Sequence, residues 1–321
     1  MSWLSRRFRA VGFGLALCSL GAVTLSPSTA NAWWNNDDYT ETKYPIVLAH
    51  GMAGFDSLFG IYQYFYAIPA DLEDDGAEVY VTQVPQFNAT EARGEALLAQ
   101  VEEILAVSGA EKVNLIGHSH GGLDVRYVAS VAPELVASVT TVGSPHGGAE
   151  LADMLRDGLS EGGFGEAVLS FFADSLGDVL ALISGSWGTE QDSVAALEAL
   201  TYENSVEFSA AHPAGVPEDW CGQGDFVVDG IRYYSWSGDR ALTNAFDVSD
   251  PLLGLTNLVY DEDNDGLVGE CSSHLGKVIR DDYRLNHLDE VNQAFGLVHL
   301  FGPNPKSLFR AHANRLKNEG L

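Results

Sequence analysis

Residues Val113–Ala129 read VNLIGHSHGGLDVRYVA. Val113 to Ile116 form an apolar run of the kind that makes a buried strand, and the segment from Gly121 onward reads as a helix. Between them stands Ser119, with Gly117 and Gly121 two residues away on either side, a match to G-x-S-x-G. The pattern has a steric reason. A serine on a tight strand-to-helix turn takes a strained backbone conformation, and side chains two residues before or after it would collide. Such a turn lifts the hydroxyl clear of the sheet. The unpaired N–H groups at the start of the following helix then face any anion that develops there. Ser119 is therefore the candidate nucleophile.

Outward from this turn, Lys43–Gly51 (KYPIVLAHG) reads as a buried strand ending in a glycine turn, and Ala77–Pro85 (AEVYVTQVP) as a second strand stopped by its proline. Ala89–Val107 has helical spacing, with Leu97, Leu98, Val101, Ile104 and Leu105 on one side. Val136–Gly148 (VASVTTVGSPHGG) is another strand ending in a polar turn. Strands alternating with helices imply an α/β fold: a mostly parallel sheet with helices on both faces and its reactive groups at the carboxyl ends of the strands. At 321 residues, with neither repeats nor a long linker, the chain suits one large domain. Ser160 to Gly185 differs from the rest. Phe164, Val168, Phe171, Phe172, Leu176, Val179, Leu180 and Ile183 make a broad apolar face bounded by glycines. It reads either as an ordinary core helix pair or as a hinged cap over a cleft.

A serine hydroxyl needs a base, and the base needs an orienting carboxylate. On folds with this elbow the chain order is serine, acid, histidine. That order demotes His50, and His118 and His120 lie within the elbow itself. His146 and His212 come too early, which leaves His274, His287, His299 and His312. The acid belongs in a loop after a late strand, where Asp261, Glu262, Asp263 and Asp265 stand together. Asp265, tucked against Gly266 and an apolar Leu-Val pair, is favoured, with His287 or His274 as base. The backbone N–H groups of Met52, in the glycine turn after the first strand, and of His120 are the natural oxyanion donors.

The N-terminus carries Arg6, Arg7 and Arg9, then AVGFGLALCSLGAVTL, then STANA. This is the layout of a secretory signal peptide cleaved after Ala32, and it implies export through the periplasm to the extracellular space. The net charge is −28, and losing three arginines makes the remainder more negative still. Nucleic acid is excluded as a default partner, and anionic membrane surfaces are disfavoured. Cys18 leaves with the signal. Cys221 and Cys271 remain as an even pair in an oxidising compartment, which implies one disulfide.

Five stretches, YPIVLAHGMAGFD, VNLIGHSHGG, YYSWSG, NDGLVGECSSHLGKVIRDDYRLNHLDEVNQ and HANRLKN, resemble the secreted true lipases of the Pseudomonas and Burkholderia type. The resemblance covers essentially the whole chain after Ala32. It implies an α/β-hydrolase fold over residues 33–321, with a mobile lid at roughly 150–200, and esterase activity on triacylglycerols at a lipid–water interface. It further implies Ser119 as nucleophile, Asp265 as acid, His287 as base, and Met52 and His120 as oxyanion donors. Cys221 and Cys271 match the family's disulfide. The family holds one structural Ca²⁺, whose motif positions fall here on Asp247, Asp289 and the carbonyl oxygens of Gln293 and Leu297. A dedicated foldase is a further implied partner. Carboxylesterases, acyltransferases and polyester depolymerases use the same machinery. A non-catalytic lipid binder would need a broken triad, and all three residues are present.

Overall fold

Strand β1 (Ile46–Ala49) is buried at every position, as its unbroken apolar run requires of a strand covered on both faces. The structure is a computed structural model that describes residues 38–52, 54, 57–58, 62–157 and 192–321. The seven-stranded sheet around β1 runs β4 (Val79–Val81), β1, β5 (Val113–His118), β6 (Val136–Val142), β8 (Ile231–Gly238). At its far edge β7 (Val227–Val228) and β9 (Lys277–Tyr283) both pair with β8. Every pairing in this sheet is parallel except β7 with β8. The short strands β2 (Ser57–Leu58) and β3 (Tyr62–Gln63) form a separate antiparallel pair.

Alternation along β1 splits the core into two layers. Val47 and Ala49 pack with Leu115 and Val139 beneath α2 (Thr90–Ser108) and α3 (His120–Val131), where Leu97, Val101, Val125 and Val128 are buried. Ile46 and Leu48 point the other way. They meet Ile116, Val142 and Trp236, together with Ile68 and Leu72 of α1 (Ile68–Glu73). The same layer is closed by Phe309 and Ala313 of the C-terminal helix (Pro305–Asn318). In the register, Ala49 lies opposite Gly117, His118 opposite Val142, and Val142 opposite Trp236. The carboxyl ends of the central strands are thus level, and the loops that leave them share one end of the sheet.

The expected strands and helices are present with boundaries shifted by a few residues. Of the five apolar residues expected on one side of α2, Leu97, Val101 and Ile104 are buried, while Leu98 and Leu105 are half-buried at the flank of the stripe. The motif YYSWSG lies within β8, the strand that carries the sheet beyond β6. Strand β9, KVIRDDY, has no apolar alternation because it is an edge strand with half-exposed faces. The apolar stretch from Phe164 to Ile183 and the expected signal peptide, residues 1–32, lie outside the described residues.

Cys221 and Cys271 form the expected disulfide, 50 residues apart in sequence. It ties the chain beyond the helix Tyr202–Ala211 to the short turn that follows the loop of Asp265. On the chain-entropy account a loop of that length is worth about 4 kcal/mol. The double variant Cys221→Ser/Cys271→Ser is expected to lose a stability of that order in urea unfolding, and a change below about 1 kcal/mol would show that the cross-link constrains little.

Candidate active site

Ser119 has φ 56° and ψ −130°, a conformation that non-glycine residues rarely adopt. It joins the end of β5 to the start of α3. Gly117 and Gly121 permit this turn in the way their spacing implies. A Cβ on Gly117 would lie 2.2 Å from the carbonyl oxygen of Gly121, and one on Gly121 would lie 2.4 Å from that of Ala49. The turn after β1 approaches just as closely, since a Cβ on Gly51 would lie 2.7 Å from the Cβ of Ser119. Met52, half-buried, follows in that turn. His120 opens α3, so its N–H has no acceptor within the helix.

His287 and Asp265 meet directly, with Nδ1 donating to Oδ2 at 2.7 Å. Asp265 is fully buried and its other oxygen accepts from the N–H groups of Leu267 and Val268 at 2.9 and 2.8 Å. The two loops are also joined by the backbone, His287 N–H to Asp265 carbonyl at 2.9 Å. With Nδ1 bound to the carboxylate, the lone pair of the imidazole is on Nε2, the nitrogen a nucleophile would use. Asp261 and Asp263 are exposed, unlike Asp265. His274, the alternative base, has both nitrogens occupied, by Gly222 carbonyl at 2.8 Å and Asp281 at 3.0 Å.

The elbow reaches the base loop through His118. Its ring lies 4.6 Å from that of His287, centroid to centroid. Its Nε2 donates to the His287 carbonyl at 2.9 Å, and its Nδ1 accepts from the Tyr64 hydroxyl at 2.6 Å. Tyr64 oxygen in turn accepts from Gly51 N–H at 3.1 Å. One continuous path therefore links the turn of Met52, the elbow and the loop of His287. The Ser119 hydroxyl makes no hydrogen bond among the described residues. Such bonds commonly close only when substrate binds.

Two supporting groups went unremarked in the sequence. Arg93 is fully buried, pairs with Asp124 of α3 at 2.7 Å, and donates to the His50 carbonyl at 2.8 Å. It clamps the turn after β1 to the elbow helix. Its signal was its place on the stripe of Leu97 and Val101, since a charged residue on an apolar face is almost always paired. Glu290 is also buried, and its Oε1 accepts from Gly238 N–H at 2.5 Å. Burial, reinforced by Asp265, pushes its carboxyl well above the usual range.

Asp247 and Asp289 are buried, and Oδ2 of the first and Oδ1 of the second have no hydrogen-bond partner among the described residues. Burial pushes Asp289 up to about 7, and the nearby carboxylates of Asp247 and Asp250 add to the effect. Asp250 differs, because Thr243 N–H, Asn244 N–H and the Asn286 amide all donate to it. Two buried acid oxygens without donors are costly alone and suit a hard divalent cation. Gln293 uses its side-chain Nε2 elsewhere, donating to the Gln63 carbonyl at 3.0 Å. Leu297 is partly exposed, and the next residue's carbonyl accepts from Asn244 at 3.1 Å, beside the loop of Asp247.

The described geometry sets a nucleophile candidate on a parallel α/β sheet, and residues 44–289 match the model of the alpha/beta hydrolase fold. The chain is 52% identical to a triacylglycerol lipase of Vibrio cholerae, over 96% of this chain and 98% of that one. It is 43% identical to a triacylglycerol lipase of Pseudomonas fragi, over 89% and 100%, and 39% identical to one of Burkholderia plantarii, over 98% and 97%. Among solved structures, the mature form of the Bacillus licheniformis lipase BlEst2 superposes with TM-score 0.60 at 20% identity, over 86% of this chain and 93% of that one. At that identity the likeness concerns the fold. The chain belongs to the alpha/beta hydrolase family, among the bacterial lipases of the Vibrio, Pseudomonas and Burkholderia type.

Burial holds His50, His118, His120, His146 and His312 below the usual value of 6.5, His50 at about 3. Unfolding frees them to bind protons that the folded state refuses, so the contribution of these histidines to stability rises with pH in this range and is lost as pH falls below about 6.5. Between pH 6.5 and pH 4 the urea midpoint of His312→Gln is expected to gain, relative to that of the unmodified protein, as the pH falls. An unchanged slope in the variant would remove His312 from the account.

Proposed function

We propose that the chain is a secreted triacylglycerol lipase in which Ser119, His287 and Asp265 act together on the ester. The observation that carries this reading is the 2.7 Å bond from His287 Nδ1 to buried Asp265, set beside the strained turn of Ser119. With an acylglycerol bound, His287 Nε2 takes the Ser119 proton as Oγ attacks the ester carbonyl carbon. Asp265 holds the ring and offsets the charge of the imidazolium. The N–H groups of Met52 and His120 receive the oxyanion. Collapse of the tetrahedral species breaks the bond to the glycerol oxygen, which leaves with the proton from His287. Water then attacks the acyl carbon and gives a proton to His287; the bond to Oγ breaks, the fatty acid leaves, and His287 returns the proton to Ser119.

The same reading assigns one Ca²⁺ to Asp247, Asp289 and the carbonyls of Gln293 and Leu297. When bound, the ion would neutralise two buried carboxylates and brace the loop that carries His287. The partly apolar signal at residues 1–32 supports export. No helix among the described residues is long and apolar enough to cross a membrane. Dependence on a dedicated foldase belongs to the same proposal.

Ser119→Ala is expected to lower hydrolysis of emulsified tributyrin by roughly 10³-fold or more, with folding intact by circular dichroism. Retained hydrolysis would refute the assignment. A calcium chelator should lower the thermal midpoint of the unmodified protein and have little effect on Asp289→Asn, which already lacks one anionic ligand. A midpoint unmoved by chelator in the unmodified protein would count against the ion.

A further inference from the structure

The four most exposed large apolar side chains among the described residues are Val248, Phe246, Leu300 and Phe301, at 85%, 84%, 84% and 81%. They fall on two loops. One follows β8 and carries Phe246 and Val248. The other lies between the helical turn Gln293–Gly296 and the C-terminal helix and carries Leu300 and Phe301. Asn244 Nδ2 donates to the Val298 carbonyl at 3.1 Å, so the loops are tied to each other. Strands β5, β6, β8 and β9 are mutually parallel, and a Cβ on Gly302 would lie 2.7 Å from the carbonyl oxygen of Arg284, just past β9, so both loops lie at the same end of the sheet as the turn of Ser119.

We infer that these two loops form a docking surface for the uncharged face of a triacylglycerol droplet. This rests on the lipase reading above. Charge supports the choice of partner. The chain carries 45 acidic residues, yet residues 291–318 contain neither Asp nor Glu. Between Arg240 and Ser249 the one acid is Asp247, which is buried. An acidic protein meets an oil surface at lowest cost through a face that lacks exposed carboxylates, whereas an anionic bilayer would repel the rest of the molecule. Exposed Phe, Leu and Val gain from burial in acyl chains and lose nothing that was paired. The surface lies at the catalytic end, so docking there sets the ester supply beside Ser119.

The test uses Ser119→Ala protein, which leaves the droplets intact, floated with triolein droplets coated in phosphatidylcholine. Adding Leu300→Ser and Phe301→Ser is expected to lower the droplet partition by about tenfold or more. Phe246→Ser, on the other loop, should lower it by a smaller factor and stands as a second test should the double variant fold poorly. Placed in the active chain, the same substitutions should leave hydrolysis of dissolved p-nitrophenyl butyrate within about twofold of the unmodified rate. Unchanged flotation in both variants overturns the inference. So does a wild-type dimer that the substitutions split, which makes the face a contact between copies. A rise in the dissolved-ester rate on substitution would assign the face to residues 158–191 of the same chain, and also overturns it. Stronger flotation on adding phosphatidylglycerol rules out the uncharged partner. Should the unmodified protein hydrolyse neither ester, the lipase reading fails, while flotation still decides the docking surface.

Discussion

Everything at the catalytic end of the sheet depends on two backbone turns touching without side chains between them. Ser119 sits at positive φ, a cost of order 1–3 kcal/mol that persists only where surrounding contacts determine it. Here the determination comes from Gly51, Gly117 and Gly121, none of which has space for a Cβ. Arg93 adds to it from the far side. Its guanidinium spans Asp124 on the elbow helix and the His50 carbonyl on the opposing turn. A buried ion pair contributes little net stability against an apolar replacement of the same shape. Its value lies in geometry, because the planar guanidinium spans both partners at once and so sets the spacing between turn and helix.

The base side of the site is built by different means. Asp265 is held by the N–H groups of the next residues in its own loop, and His287 is held by Asp265 through both side chain and backbone. This pair would be rigid yet unplaced if nothing joined it to the elbow. His118 makes that join, taking the Tyr64 proton on one nitrogen and giving its own to the His287 carbonyl on the other. Because burial keeps the ring neutral, it has one donor and one acceptor, and the two partners settle which nitrogen is which. The variable position before the serine in G-x-S-x-G is therefore occupied here by a residue that connects three loops.

The central strands and the elbow were legible because their constraints are local. The run Ile46–Ala49 is apolar throughout, and the glycines around Ser119 are separated by fixed short intervals. Edge strand β9 was not legible, since half-exposed charged residues leave no period to read. Spacing also left His274 and His287 as equal candidates for the base. What separates them is a partner distant in sequence, Gly222 carbonyl for His274, and local pattern carries no trace of it. Arg93 and Glu290 escaped notice for a related reason. Each looks like an ordinary charge on a helix or turn until the fold buries it. The family resemblance named His287 and the cation positions; the open oxygens of Asp247 and Asp289 are a separate physical observation that agrees with those positions.

The chain's histidines show what sets a reactive imidazole apart from a structural one. Burial does not, for His50, His118, His146 and His312 are as deeply placed as His287. Occupancy does. His50 uses both nitrogens, on Gly51 carbonyl and Val84 N–H. His146 does so with Arg126 and Thr141, and His312 with Thr140 and Arg315. A ring saturated in this way has no lone pair to offer and no proton to release without breaking a contact. His120 has one open nitrogen, but its other is held by the neutral Thr90 hydroxyl, which gives no support to a positive ring. His287 is the one among the described residues with a carboxylate on Nδ1 and no protein partner on Nε2. That combination lets the ring accept a proton and hold the resulting charge beside Asp265, which a base for Ser119 must do.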